Sequence, residues 1–440
     1  MNNRRTILWA VLGAGALCLL LMALPPIQER IWWRLDQLRV RVFYAINPPE
    51  ESVFTPQGTS VSSVVEATLT AMALQTSPAA AATLAPTNTA LPPDVPTPTA
   101  TASPTPLPTL PPAASITDVP YVDQHYGFNN CAPATLTMAL QFWGWQGDRE
   151  GAANYLKPYA KDKNVMPYEM TDFVNGMTDY RALDRVGGTP EILKRLVANG
   201  YPVVVERGVY LRDLSGKISW MGHYQFVYGY DDTASQYQVK DAFEENGANF
   251  RVTYDDLTIG WRSFNYHYVV VYPPGSEADV LALLGDQADE AAANRAAYEK
   301  ASEEIFTLQG QDQFFAWYNQ GSSLVRLQDF GGAAKAYDQA FTLLAELPAD
   351  KRPWRATWYM TGPYYAYYYT GRHYDVIALA DKTISAASEP FLEESFYWRA
   401  RAKAALGDTT GAANDLRKSL EYHPDFNPSV AMMAELGITP

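Results

Sequence analysis

Gly222–His223–Tyr224–Gln225–Phe226–Val227–Tyr228–Gly229–Tyr230–Asp231–Asp232 decides the fold class of this 440-residue chain. From His223 onward the alternation buries one face of an extended strand. The run ends in Asp231 and Asp232, which make turns through Asx hydrogen bonds. A second strand over 236–241 ends at Val239–Lys240–Asp241. Two strands this close in sequence predict an antiparallel hairpin, which sets Asp241 near His223. Pro202–Val203–Val204–Val205 reads as a buried strand, and further strands are predicted at 249–254 and 266–272. Upstream, Thr135 to Trp143 places Leu136, Ala139, Leu140 and Trp143 at helical spacing. Gly188–Thr189–Pro190–Glu191 opens another helix, with Thr189 as N-cap and Pro190 in the first position, and it closes near Asn199–Gly200. Helices first and strands later make residues 116–275 an α+β unit, not a series of βαβ units.

Beyond Pro273–Pro274 the pattern is wholly helical. Three segments align: Gln328–Asp329–Phe330–Gly331–Gly332–Ala333, Gly371–Arg372–His373–Tyr374–Asp375–Val376 and Gly407–Asp408–Thr409–Thr410–Gly411–Ala412. Small, apolar or aromatic residues recur after each: Tyr337 and Ala340, Ala380 and Thr383, Leu416 and Ser419. Trp317, Gly321 and Leu324 precede the first segment at suitable offsets, and Pro424 sits where a repeat ends. Residues 276–440 therefore resemble an array of tetratricopeptide-like helical hairpins, with 277–306 as a helical lead-in. The tyrosines of 364–369 are read as packing between hairpins.

Upstream of the α+β unit lie two segments of different character. Residues 7–24 (ILWAVLGAGALCLLLMAL) follow Arg4 and Arg5 without a charge and end at Pro25–Pro26. That length just crosses a hydrocarbon core. It is an uncleaved anchor or a cleaved signal peptide, and the lack of a small-x-small cleavage site favours the anchor. Residues 27–46 mix Trp32, Trp33, Phe43 and Tyr44 with four arginines, as an interfacial segment does. Residues 51–115 read as a disordered stalk, dense in Pro, Thr, Ala and Ser from 78 to 114, able to extend about 100 Å. The resulting expectation is a membrane anchor with its juxtamembrane segment over 1–50, and a single-pass cell-membrane protein whose remaining units face the extracytoplasmic side.

The formal net charge of −14 argues against a nucleic-acid partner, which requires clustered Lys and Arg. The two cysteines, Cys18 and Cys131, lie in separate segments, so no disulfide framework exists for the folded units. With one cysteine outside the apolar run and no histidine pair at ligand spacing, neither a metal nor any other cofactor is implied.

Cys131 precedes Ala132, Pro133 and the first predicted helix, so it stands at a helix N-terminus, where the macrodipole and free amides favour a thiolate. A thiol nucleophile also needs a base and oxyanion donors. His223 is the candidate base, Asp241 the group that orients it, and Asp231 or Asp232 an alternative orienter. Gln124, seven residues before Cys131 in Val119–Pro120–Tyr121–Val122–Asp123–Gln124, offers a side-chain amide beside the Cys131 backbone amide as an oxyanion hole. His125 is read as a rim contact and His267 as a residue of the last strand.

With these residues in the order Gln124, Cys131, His223, Asp241, residues 117–272 resemble the papain-like peptidases related to bacteriocin-leader (double-glycine) processing enzymes. The usual Cys-Gly-Pro reads Cys131–Ala132–Pro133 here. The resemblance implies a cysteine peptidase that hydrolyses peptide bonds through a thioester, with a peptide or protein substrate and helical repeats that bind substrate or a protein partner. The leader-cleaving members are fused to export ATPases and this chain has none, so the double-glycine substrate does not carry over. An amidase or acyl transferase using the same thioester, and an inert peptidase-like scaffold, are the competing expectations.

Overall fold

The computed structural model describes residues 25–57, 109–125, 129–213 and 215–438. Its sheet comprises β1 (Ala113–Ser115), β2 (Arg181–Arg185), β3 (Val203–Arg212), β4 (Ile218–Asp231), β5 (Gln236–Lys240), β6 (Phe250–Thr253) and β7 (Tyr268–Tyr272). The order is β2-β7-β3-β4-β5-β6, every pair being antiparallel. β3 leaves β4 at the Val203–Val227 pair, and β1 continues the edge by pairing Ser115 with Gly229 and Ala113 with Asp231. The β-branched runs Val203–Val205 and Val269–Val271 are buried on both faces, which is why they occupy the middle of the sheet.

One face is covered by α2 (Cys131–Phe142), α3 (Arg149–Leu156) and α4 (Pro167–Met177), packed through Leu136, Leu140, Met170 and Phe173 onto Phe226. The other carries α5 (Pro190–Ala198) and α6 (Tyr254–Arg262), through Ile192, Leu196 and Trp261 onto Val205 and Val227. Thr189 caps α5 as predicted, its hydroxyl accepting from the Ile192 amide at 3.3 Å. α2 starts at Cys131 rather than Thr135. Three elements lack a sequence signal. α3 is a two-turn helix that relies on the Asp148 cap, α4 has Glu169 closing back on the Met166 amide, and β2 is a polar edge strand held by β7.

The helical region follows: α7 (Glu277–Leu284), α8 (Glu290–Thr307), α9 (Gly310–Arg326), α10 (Phe330–Glu346), α11 (Ala356–Tyr359), α12 (Gly362–Tyr369), α13 (His373–Ser385), α14 (Glu393–Ala405), α15 (Thr409–Tyr422) and α16 (Asn427–Glu435). The three aligned segments fall at the turns of the pairs α9–α10, α12–α13 and α14–α15. Asp329 and Asp408 cap the second helix of their pairs, each accepting a backbone amide, of Gly332 and Gly411, at 2.8 Å. Tyr337, Ala340, Ala380, Thr383, Leu416 and Ser419 are all buried. A Cβ on Gly321 would lie 2.8 Å from the Tyr337 ring, so that glycine is what lets α9 and α10 close on each other.

The two regions share a core. Trp220 of β4 stacks on Phe264 (5.6 Å, 15°) and lies 5.3 Å from Phe315 of α9. Arg355, which is buried, reaches back to the partly buried Asp213 at 2.7 Å.

The expectation of a single-pass cell-membrane protein with an extracytoplasmic body is corrected. Among the described residues no helix is long and apolar enough to cross a membrane. The 7–24 run on which the expectation rested lies outside the described residues. The N-terminal helix α1 (Pro25–Ile46) carries Arg34, Asp36, Arg39 and Arg41 and buries Val40 and Tyr44. Tyr44 meets Trp354 edge-on at 5.7 Å. The chain after α1 continues onto the helical region. Residues 51–57, read as the start of the stalk, place Phe54 in the core against Phe341 (5.0 Å) and Tyr367 (6.0 Å), and the Gln57 amide donates to Asp375 at 2.7 Å. The remainder of the expected stalk up to residue 108 lies outside the described residues.

Truncating a buried phenylalanine removes its transfer free energy and leaves a cavity. Phe54→Ala is therefore expected to destabilise the helical region by about 3 kcal/mol, read as a lower midpoint in urea unfolding.

Candidate active site

Cys131 is the first residue of α2, and its half-buried thiol faces the hairpin of β4 and β5. His223 lies on β4, and Asp241 directly follows β5. The register pairs Phe226 with Lys240, so the next position along brings Asp241 level with Gln225. Residues two apart on a strand point to the same side, and both His223 and Gln225 reach that carboxylate. His223 Nε2 is 2.9 Å from Asp241 Oδ1, and the Gln225 amide donates to Oδ2 at 2.7 Å. Asp241 Oδ1 also accepts the backbone amides of Phe243 (2.9 Å) and Glu244 (3.2 Å).

His223 also interacts electrostatically with the Cys131 thiol. The structure thus brings Cys131, His223 and Asp241 together, with a hydrogen bond between the last two. Burial pushes the Cys131 thiol up. The hydrogen bond and charge of His223, the Tyr224 backbone amide and Lys157 outweigh that and lower it overall. Burial works against a charged His223, but Asp241 and Cys131 raise it to about 10. Burial likewise opposes the Asp241 carboxylate, and His223 and Gln225 hold it well below the usual range. The lowered Cys131 and the raised His223 favour a thiolate–imidazolium pair backed by a carboxylate.

Gln124 sits in the segment before α2, its backbone amide donating to Ala242 at 3.0 Å, next to Asp241. Its side-chain Oε1 is buried and has no hydrogen-bond partner among the described residues. His125 is exposed, bonded to Asp123 at 2.8 Å and stacked on Phe243 at 5.4 Å. His267 is buried and pairs with Asp184 at 3.1 Å, away from the row. Asp231 accepts the Thr233 and Ala234 amides in the hairpin turn, and Asp232 binds Lys194 and Tyr254. Neither is bonded to His223, and of the three aspartates only Asp241 is.

Several participants carried no sequence expectation. Gln225 holds Asp241 and is itself braced by Arg207 at 3.2 Å. Its position two residues beyond His223 on a strand was a usable signal. Lys157 donates to Asn130, the N-cap of α2, at 2.9 Å. Gly247 is packed so tightly that a Cβ there would lie 1.7 Å from the Asp241 carbonyl oxygen, and its own carbonyl accepts the Asp241 amide at 2.9 Å. No spacing in the sequence points to either.

The region that carries these residues has a counterpart among known proteins. Residues 116–271 match the Peptidase_C39 like family. The resemblance expected from the sequence holds for this C39-like region, and a helical region follows it. A solved structure of a C39-like peptidase from Bacillus anthracis is 17% identical, covers 36% of this chain and 97% of that one, and has a TM-score of 0.30. No curated protein matches the chain. The family suggests that the C39-like region is a cysteine peptidase.

The thiolate fraction should rise with pH through the lowered Cys131 value and then hold a plateau until the imidazolium titrates near about 10. In His223→Ala burial loses its main opponent, so the alkylation midpoint is expected to move up to about 8.5 or beyond. Iodoacetamide alkylation rates against pH measure this. Gly247→Ala should pull Asp241 from His223 and bring the histidine down from about 10 toward its ordinary ~6.5, as followed by NMR titration.

Proposed function

We propose that this chain is a cysteine peptidase in which Cys131 is the nucleophile, His223 the general base and acid, and Asp241 the orienting carboxylate. The observation that carries this reading is His223 held by the Asp241 carboxylate, Nε2 to Oδ1 at 2.9 Å, and lowering the Cys131 thiol beside it. The Cys131 thiolate attacks the peptide carbonyl, and the oxyanion is held by the Cys131 backbone amide and the Gln124 side chain. The imidazolium protonates the departing amine as the C–N bond breaks and leaves a thioester. Neutral His223 then takes a proton from water, the resulting hydroxide attacks the thioester, and the acid product departs as the thiol is restored. Asp241 keeps the ring in one tautomer and orientation throughout.

The division we propose places the peptidase unit, papain-like, at 116–275 and a tetratricopeptide-like array at 276–440. The array recruits or orients a peptide or protein substrate. The amidase and acyl-transferase alternatives share every step up to the thioester, and added amine nucleophiles separate them by whether an amide product appears.

Cys131→Ala is expected to abolish cleavage in a peptide-library screen, and undiminished cleavage would sink the proposal. Gln124→Ala should lower kcat by about 10²–10³ with little change in KM, since the oxyanion exists only after attack.

A further inference from the structure

A second polar cluster lies where the sheet region meets the helical region. Asp162 comes from the loop between α3 and α4, Glu393 opens α14, and His423 ends α15. One carboxylate oxygen from each acid and a ring nitrogen of His423 lie within 4.8 Å of one another. Asp162 and Glu393 are each 1% exposed. Asp162 Oδ1 accepts the Asn164 amide at 3.4 Å, while its Oδ2 is buried with no hydrogen-bond partner among the described residues. Glu393 Oε1 meets His423 Nδ1 at 3.1 Å, and its Oε2 is likewise unpartnered. Glu169 Oε1 stands 3.8 Å from His423 Nδ1, and Glu394, also buried, keeps an unpartnered oxygen.

Four buried carboxylates so close are costly unless cations compensate them. Lys157 and Lys163 interact with Asp162, which sets two ammonium groups against four acids. We propose that Asp162, Glu393 and His423 bind a divalent first-row transition metal, Zn²⁺ or Mn²⁺, with Glu169 beside them as a candidate fourth ligand. The imidazole decides the class: Ca²⁺ and Mg²⁺ favour all-oxygen shells, whereas a mixed nitrogen and carboxylate set suits the transition ions. Ligand bonds of about 2.0–2.1 Å put ligand atoms roughly 3.3 Å apart, a contraction that side-chain rotation can supply from 4.8 Å. The ion would fasten the C39-like region to α14 and α15. It would also stiffen the nucleophile's surroundings, because the Asp162 carbonyl accepts from the Asn129 side chain at 2.5 Å, two residues before Cys131.

The test uses the full chain carrying Cys131→Ala, so that no thiolate competes for metal. EDTA-stripped protein is titrated with ZnCl₂ and MnCl₂, reading Tm, calorimetric stoichiometry and bound metal by mass spectrometry. The expectation is one equivalent of Zn²⁺ or Mn²⁺ and a Tm increase of at least about 3 °C at saturation. Glu393→Gln, which keeps the shape, and His423→Gln should each weaken binding at least tenfold. If either variant fails to fold, the stoichiometry and Tm shift of the stripped parent protein and of the other variant decide. Less than about 0.1 equivalent bound with an unchanged Tm would overturn the site and leave proton-sharing carboxylates. A full equivalent retained in both folded variants, or binding of CaCl₂ or MgCl₂ alone, would overturn it equally.

Discussion

The register of β4 is the constraint on which everything else depends. That strand pairs with β1, β3 and β5, presents Trp220 to the helical region and carries His223. A slip of one residue would turn each side chain to the opposite face of the sheet. Trp220 would leave the shared aromatic core and His223 would leave both Cys131 and Asp241. The ten residue pairs from Val203–Val227 to Arg212–Ile218 fix that register on one side. The Asx turn at Asp231 fixes it on the other. Stability and chemistry therefore rest on the same backbone hydrogen bonds.

Electrostatics at the site is a contest between burial and neighbours. Burial alone would keep Cys131 a thiol and His223 neutral, and for both the partner groups win. Asp241 is the source of that outcome. It receives donors from His223, Gln225 and two backbone amides, so it stays ionised in a setting that disfavours charge. Its charge then raises His223, and the imidazolium in turn favours the thiolate. Each group's state depends on the next, and Gly247 keeps the backbone under Asp241 in place.

What could be read from sequence was what local periodicity encodes. The hairpin placed His223 and Asp241 together because a period of two and a nearby turn leave little freedom. The cap at Thr189 was legible because side chain and amide are three residues apart, whereas those at Asp329 and Asp408 were seen only as part of aligned segments. Gln225 was within reach of the same argument. Lys157, Arg207 and Gly247 were not, since each matters through a contact that only the tertiary fold creates. The cluster of Asp162, Glu393 and His423 was further still from view, because its members come from three distant parts of the chain and share no motif. Hydropathy erred differently. The apolar run it weighed lies outside the described residues, and the adjoining α1, with its charges, packs against Trp354.

The seat of Phe54 bears on how the chain is joined together. Residues 47–57 rest on the helical region, and Ala113–Ser115 are zipped to β4 of the same body. The intervening Pro- and Thr-rich stretch thus departs from and returns to one object, so it is a closed excursion and not a tether between two. A nick within it would leave two polypeptides still clasped by Phe54 in its aromatic socket, with Cys131 and the helical region on one piece and α1 on the other.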